Sequence, residues 1–181
     1  MHLPPPRLPY DWSSQNRAEL AFSDALRLKI TLLGANPPVW RRLQVPIGFT
    51  LRSVHTVIQA AMGWKDRHGH RFQVGERVYG ISGADAEELK DSRWITLQDV
   101  LTQGVQDFTY QYDVPGPSVH QLRIESVTRG DATNQHPVCL DGEGASPPEG
   151  GGSLVDFEGH ASAGRGAFNV RAVNARLATL R

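Results

Sequence analysis

Seven histidines and a single cysteine are the groups in this chain best suited to chemistry. His55, His68, His70, His120, Asp113 and Cys139 offer imidazole nitrogen, carboxylate oxygen and thiolate sulfur. These are the donors of a zinc site, which takes three or four of them. His68 and His70 are two apart, so an extended strand would put both imidazoles on one face. His55 would join them from an adjoining helix. Neither a C-x-x-C pair nor H-E-x-x-H is present, and His55, His70 and His120 also read as core-edge side chains with one ring nitrogen bonded to backbone. A divalent metal is therefore an alternative and not the leading reading, and no cofactor is assigned. Asp113 and His120 flank a wide loop and are candidates for an orienting carboxylate and a general base. Their parities oppose this, because Asp113 falls on the polar side of its strand and His120 on the apolar side of the next. Cys139 reads as a small buried hydrophobe rather than a nucleophile. Trp40 and Trp64 bracket the principal helix and are expected to pack against it, with a ligand platform as the alternative. Trp40, Arg42, Trp64 and Glu149 are the residues expected to meet a binding partner.

Those groups need elements to hold them. Leu26, Leu28, Ile30 and Leu32 alternate with polar residues, as do Val39, Leu43 and Val45, which predicts an antiparallel hairpin around Gly34–Pro38. Arg41 falls on the apolar side of the second strand, where its stem would lie along that surface and its head reach water. The strongest pattern is a helix over 51–62: Thr50 is an N-cap, Gly63 a C′ residue, and Leu51, Val54, Val57, Ile58, Ala61 and Met62 recur at helical spacing. His68, His70, Phe72 and Val74 share one parity and predict a third strand, turned by Gly75-Glu76 into Val78-Tyr79. Residues 82–93 read as a polar loop. Thr96 caps a short helix that Gly104 ends. Phe108-Tyr110-Tyr112 and His120-Leu122-Ile124 predict two more strands. The run DGEGASPPEGGG over 141–152 reads as loop and lacks the Gly-Lys-Ser/Thr of a phosphate cradle. Asn169 caps a last helix carrying Val173 and Leu177.

The sum is an α+β domain over 26–181 behind a proline-rich arm at 1–25. Tyr10, Trp12 and Phe22 would dock that arm. The domain is one mostly antiparallel sheet with the principal helix on a face, a β-grasp-like roll, plus the C-terminal helix. Nineteen basic residues balance nineteen acidic ones, which argues against binding along a phosphate backbone. One cysteine excludes an intrachain disulfide and fits a reducing cytoplasm. No signal-peptide pattern opens the sequence and no apolar run matches a bilayer, so a cytoplasmic protein without membrane partners is expected.

Several stretches together resemble the plasmid pRiA4b ORF-3-like family over 26–181. They are Pro37-Pro38-Val39-Trp40-Arg41-Arg42; Leu51-x-x-x-His55-x-x-Ile58-Gln59-x-x-x-Gly63-Trp64; His68-x-His70-x-Phe72; and Tyr110-x-Tyr112-Asp113 with His120. To these are added Pro137-x-Cys139-Leu140-x-Gly142-Glu143-Gly144-Ala145, Pro147-Pro148-Glu149, and Phe168-Asn169 with Val173-Asn174 and Leu177. The resemblance implies an α+β fold and a setting near plasmids and insertion elements of bacteria and archaea, where some members carry a resolvase-like label. It leaves activity open. Against the family pattern, an aspartate and a tryptophan are missing after Asp113, and Ser146, Gly150 and Gly151 stand where the family has Cys, Asp and Cys. Loss of such groups would lower any metal affinity steeply. The expected function is a non-catalytic protein that binds another macromolecule, most simply a protein. The alternatives are a metal-assisted hydrolase or phosphodiester-processing enzyme, and a DNA-binding resolvase-like accessory protein, which the neutral charge disfavours.

Overall fold

The computed structural model describes residues 20–81, 89–112, 118–130, 135–149 and 167–180. Tyr10, Trp12, Asp113 and the acidic run at 85–88 lie outside the described residues. Eight strands form one sheet: β1 (Ala25–Leu32), β2 (Val39–Pro46), β3 (His70–Val74), β4 (Arg77–Gly80), β5 (Lys90–Asp91), β6 (Asp107–Tyr112), β7 (Ser118–Thr128) and β8 (Val138–Glu143). Their order across the sheet is β5-β4-β3-β6-β7-β1-β2-β8. Every pairing is antiparallel except β4 with β5. This is the α+β arrangement the alternation predicts, with a strand order that alternation alone could not give.

One face of the sheet is apolar. Leu28 pairs with Leu43 on one side and Ile124 on the other, and all three are buried. Helices α1 (Leu51–Met62), α2 (Leu97–Thr102) and α3 (Val170–Leu177) bury their apolar sides in that same core. The caps explain where α1 and α2 begin and stop. Thr50 accepts from the Ser53 N–H, and Gly63 closes α1 at φ +76°, a left-handed conformation that favours glycine. Thr96 and Asp99 make a reciprocal capping box for α2.

Several expectations change. β8 extends through Asp141–Glu143, where loop was expected. It is an edge strand that buries only Cys139 among its apolar residues and leaves Val138 and Leu140 exposed, so it shows no apolar period. A bulge between Arg42 and Leu43 also breaks its register. β5 is a two-residue strand inside the stretch read as loop, too short to leave a pattern. Phe22 does not dock: it is 88% exposed. Trp40 lies on the face opposite the helices. Its indole sits against Lys29 and Arg42 and its Nε1 donates to Glu143, so it does not pack on α1. Arg41 does not reach water. Its guanidinium is buried and donates to the carbonyls of Trp40, Glu143 and Gly144 and to Ser146 Oγ. Phe168 covers it. That use of four oxygens makes burial of the charge tolerable.

Candidate functional site

His55 and Gln59 stand one turn apart on α1 and face the same way, toward β6 and the turn that follows the helix. Gln59 Nε2 donates to Tyr110 Oη at 3.0 Å. The tyrosine hydroxyl then donates to His55 Nδ1 at 2.8 Å, and His55 Nε2–H to Asp66 Oδ1 at 2.7 Å. The Asp66 N–H returns to Gln59 Oε1 at 2.9 Å and closes the ring. Only the Nε2–H tautomer of His55 serves every member. Burial pushes the His55 pKa down, against the pull of Asp66. Burial raises that of Asp66, but His55 and Arg52 outweigh it and hold the carboxyl below its usual range. The pair is therefore an ionised carboxylate beside a neutral imidazole. Burial also drives the Tyr110 pKa upward, so its hydroxyl stays protonated.

His70, on β3, stacks flat on His55 with ring centroids 3.6 Å apart and planes 10° apart. It is 8% exposed and its Nε2 has no hydrogen-bond partner. Burial, then the nearby His55 and Arg52, lower its pKa to about 3. One donor atom each from His55, Asp66 and His70 lie within 4.8 Å of one another. Asp66 reaches this place because its backbone adopts φ +54°, uncommon for a residue other than glycine.

Beside this cluster the loop after β8 comes back to the turn that follows α1. Trp64 Nε1 donates to the Pro147 carbonyl. The Glu149 carboxylate accepts from the Lys65 and Arg67 N–H groups and, at 2.6 Å, from Tyr112 Oη. Tyr112 Oη in turn accepts from the Arg67 and His68 N–H groups. Burial and then the Glu149 carboxylate raise the Tyr112 pKa to about 12. Trp64 stacks on Tyr112 at 5.2 Å. The described part of this loop is thus held at two places, by Arg41 at 143–146 and by Trp64 and the 65–67 turn at 147–149.

A family model described as plasmid pRiA4b ORF-3-like protein matches residues 24–165. The chain belongs to that family. A protein of Sinorhizobium fredii described as uncharacterized protein y4hQ is 32% identical over 129 residues, 70% of this chain and 66% of that relative's length. The chain thus spans just under two thirds of that relative. The crystal structure of protein of unknown function MM3350 from Methanosarcina mazei Go1 superposes with a TM-score of 0.72 at 29% identity, over 79% of this chain and 82% of that one. Among the described residues, no helix is long and apolar enough to cross a membrane.

The pRiA4b ORF-3-like motifs fall where side chains from distant segments meet. Of the predicted ligands the structure brings His55 and His70 together. His68 is not on the strand. The chain bends there after the Asp66 turn, and its ring stands edge-on to Tyr112, 5.8 Å away. His120 is fully buried on β7 between Trp64 and Tyr110. Neither ring nitrogen finds a hydrogen bond of acceptable geometry, although the backbone of Ser118 and Tyr110 is near. Burial lowers its pKa to about 4. The pairing of His120 with Asp113 lies outside the described residues. Cys139 sits on β8, far across the sheet order from β3, so it does not join the histidines. Burial raises its pKa, and Asn174 of α3 clamps its backbone from both sides, accepting from its N–H and donating to its carbonyl. It is a packing residue. Arg42 lies on the open face, paired with Glu125 at 2.7 Å and Asp141 at 3.5 Å. Gly142 has room for no side chain, since a Cβ would come within 2.7 Å of Phe168.

Sequence reasoning missed Asp66, Gln59 and the two tyrosine hydroxyls. The available signal was a single carboxylate between Trp64 and His68, directly after a helix whose inner edge carries His55 and Gln59. No spacing rule joins a helix residue to a left-handed turn residue beyond its cap.

Proposed function

We propose that this chain is a non-catalytic binding module that docks another protein, in the plasmid or mobile-element setting its family name suggests. The observation that carries this reading is the closed ring of Gln59, Tyr110, His55 and Asp66. Each reactive group in it has spent its donors and acceptors on a neighbour, so within the ring no base or nucleophile is left poised toward a substrate. The thiol of Cys139 is likewise buried and protonated. The sheet face away from the helices supplies the docking surface. There Asp141, Arg42, Lys29, Arg123 and Asp107 follow one another across β8, β2, β1, β7 and β6, with Trp40 in the neighbouring row. Charges of both signs around an indole suit a polar protein surface better than a polyanion.

The test is capture by the immobilised full-length chain beside a Trp40→Ala/Arg42→Glu variant. A defined protein held by the first at physiological salt and lost from the second is the expected result. Retention of the same proteins by both, or of none, refutes the proposal.

A further inference from the structure

We infer that His55, Asp66 and His70 form a binding site for one divalent first-row transition-metal ion, with zinc the best-suited probe. Two imidazole nitrogens and a carboxylate oxygen are a donor set that such ions take, with water or another ligand completing the shell. Two independent observations converge on this place, and the backbone of Asp66 fits them. The donor atoms already lie within 4.8 Å of one another. His70 Nε2 is buried, in a residue only 8% exposed, and has no partner, so this polar atom is uncompensated and free to turn a lone pair to an ion in the Nδ1–H tautomer. Asp66 is held at φ +54°, a conformation that persists only where surrounding contacts impose it. Its Oδ2 is taken by Arg52 at 3.1 Å, which leaves Oδ1 turned to the histidines.

The arrangement defines what must move. The 2.7 Å contact of His55 Nε2 with Asp66 Oδ1 is a hydrogen bond, and an ion replaces its proton. That proton passes to His55 Nδ1, which then donates to Tyr110 Oη. The ring lone pairs lie in near-parallel planes with centroids 3.6 Å apart, so an ion at about 2.0–2.1 Å from each nitrogen requires the stack to open. Such an ion would pin α1, the 65–67 turn and β3 to one point. The site is thus a structural clasp beside the loop at 147–149, and it adds to the docking role without depending on it.

The test uses tag-free, full-length protein, dialysed against a chelator and titrated with Zn2+ by calorimetry, with thermal melts in parallel. One equivalent should bind, and at a hundredfold excess over Kd the melting temperature should rise by roughly 5 °C or more. His70→Ala should weaken binding by more than the about hundredfold that loss of an outer-shell partner can cost. Asp66→Asn, which keeps the shape of the turn and an acceptor for His55, should do the same if His70→Ala fails to fold. His68→Ala should bind as the parent does. Absence of saturable binding, or binding that survives both Asp66→Asn and His70→Ala, overturns the site.

Discussion

At the scale of single residues, Tyr110 shows what the closed ring is worth. Its hydroxyl is buried, accepts from Gln59 and donates to His55. Tyr110→Phe keeps the ring of the side chain and leaves an imidazole nitrogen and an amide N–H without partners. A buried polar group left unpaired costs about 1–3 kcal/mol, so a loss of about 2 kcal/mol or more is expected from urea unfolding. If the midpoint does not move, the hydroxyl is not holding that network. The histidines themselves were visible in the sequence, and so was the inward parity of His55, His70 and His120. Their chemistry was not, because it is set by a carboxylate that arrives through a left-handed turn and by tyrosine hydroxyls on another strand. Arg41 shows the limit from the other side. A charged residue at an apolar position reads as a snorkelling side chain, and only the returning loop reveals the four oxygens that let its head stay inside.

At the scale of elements, α3 and β8 depend on each other. Among the described residues no strand pairs with the outer edge of β8, and Asn174 stands there instead, bonding the Cys139 backbone at 2.7 and 2.9 Å. Asn174→Ala removes both bonds, and a destabilisation of about 1–3 kcal/mol is expected, with amide exchange rising first in β8 and α3. Equal exchange in the variant and the parent would show that the clamp carries nothing. The helices and the hairpins were legible because caps, glycine turns and apolar periods agree with the tertiary contacts. β8 was not. Its residues satisfy a sheet edge and a helix at once, and an edge strand with one buried apolar side chain has no period to read. β5 hid for a similar reason, since two residues cannot establish alternation.

For the whole molecule, acid is the condition that tests how the core is assembled. His120 is enclosed on every side and burial lowers its pKa to about 4, against about 6.5 in an unfolded chain. Between those values the unfolded chain binds the proton and the folded one does not. The stability that follows is complete above about pH 6.5 and is lost as pH falls toward 4, on the order of 3 kcal/mol in all. His70, lowered to about 3, adds a loss over the same window, so urea midpoints should fall from pH 7 to pH 4 and His120→Leu should flatten that slope in part. An unchanged slope would mean that another group governs the acid limit. The order of the strands bears on biosynthesis as well. β1 is made near the start of the chain yet lies between β2 and β7, and Leu28 reaches its second partner only when Ile124 exists. On the ribosome the first hairpin therefore waits with one long edge unpaired, even though α1 is made in time to meet its leucine-rich face. Such an unpaired edge is open to mispairing until β7 has been translated and takes its place beside β1.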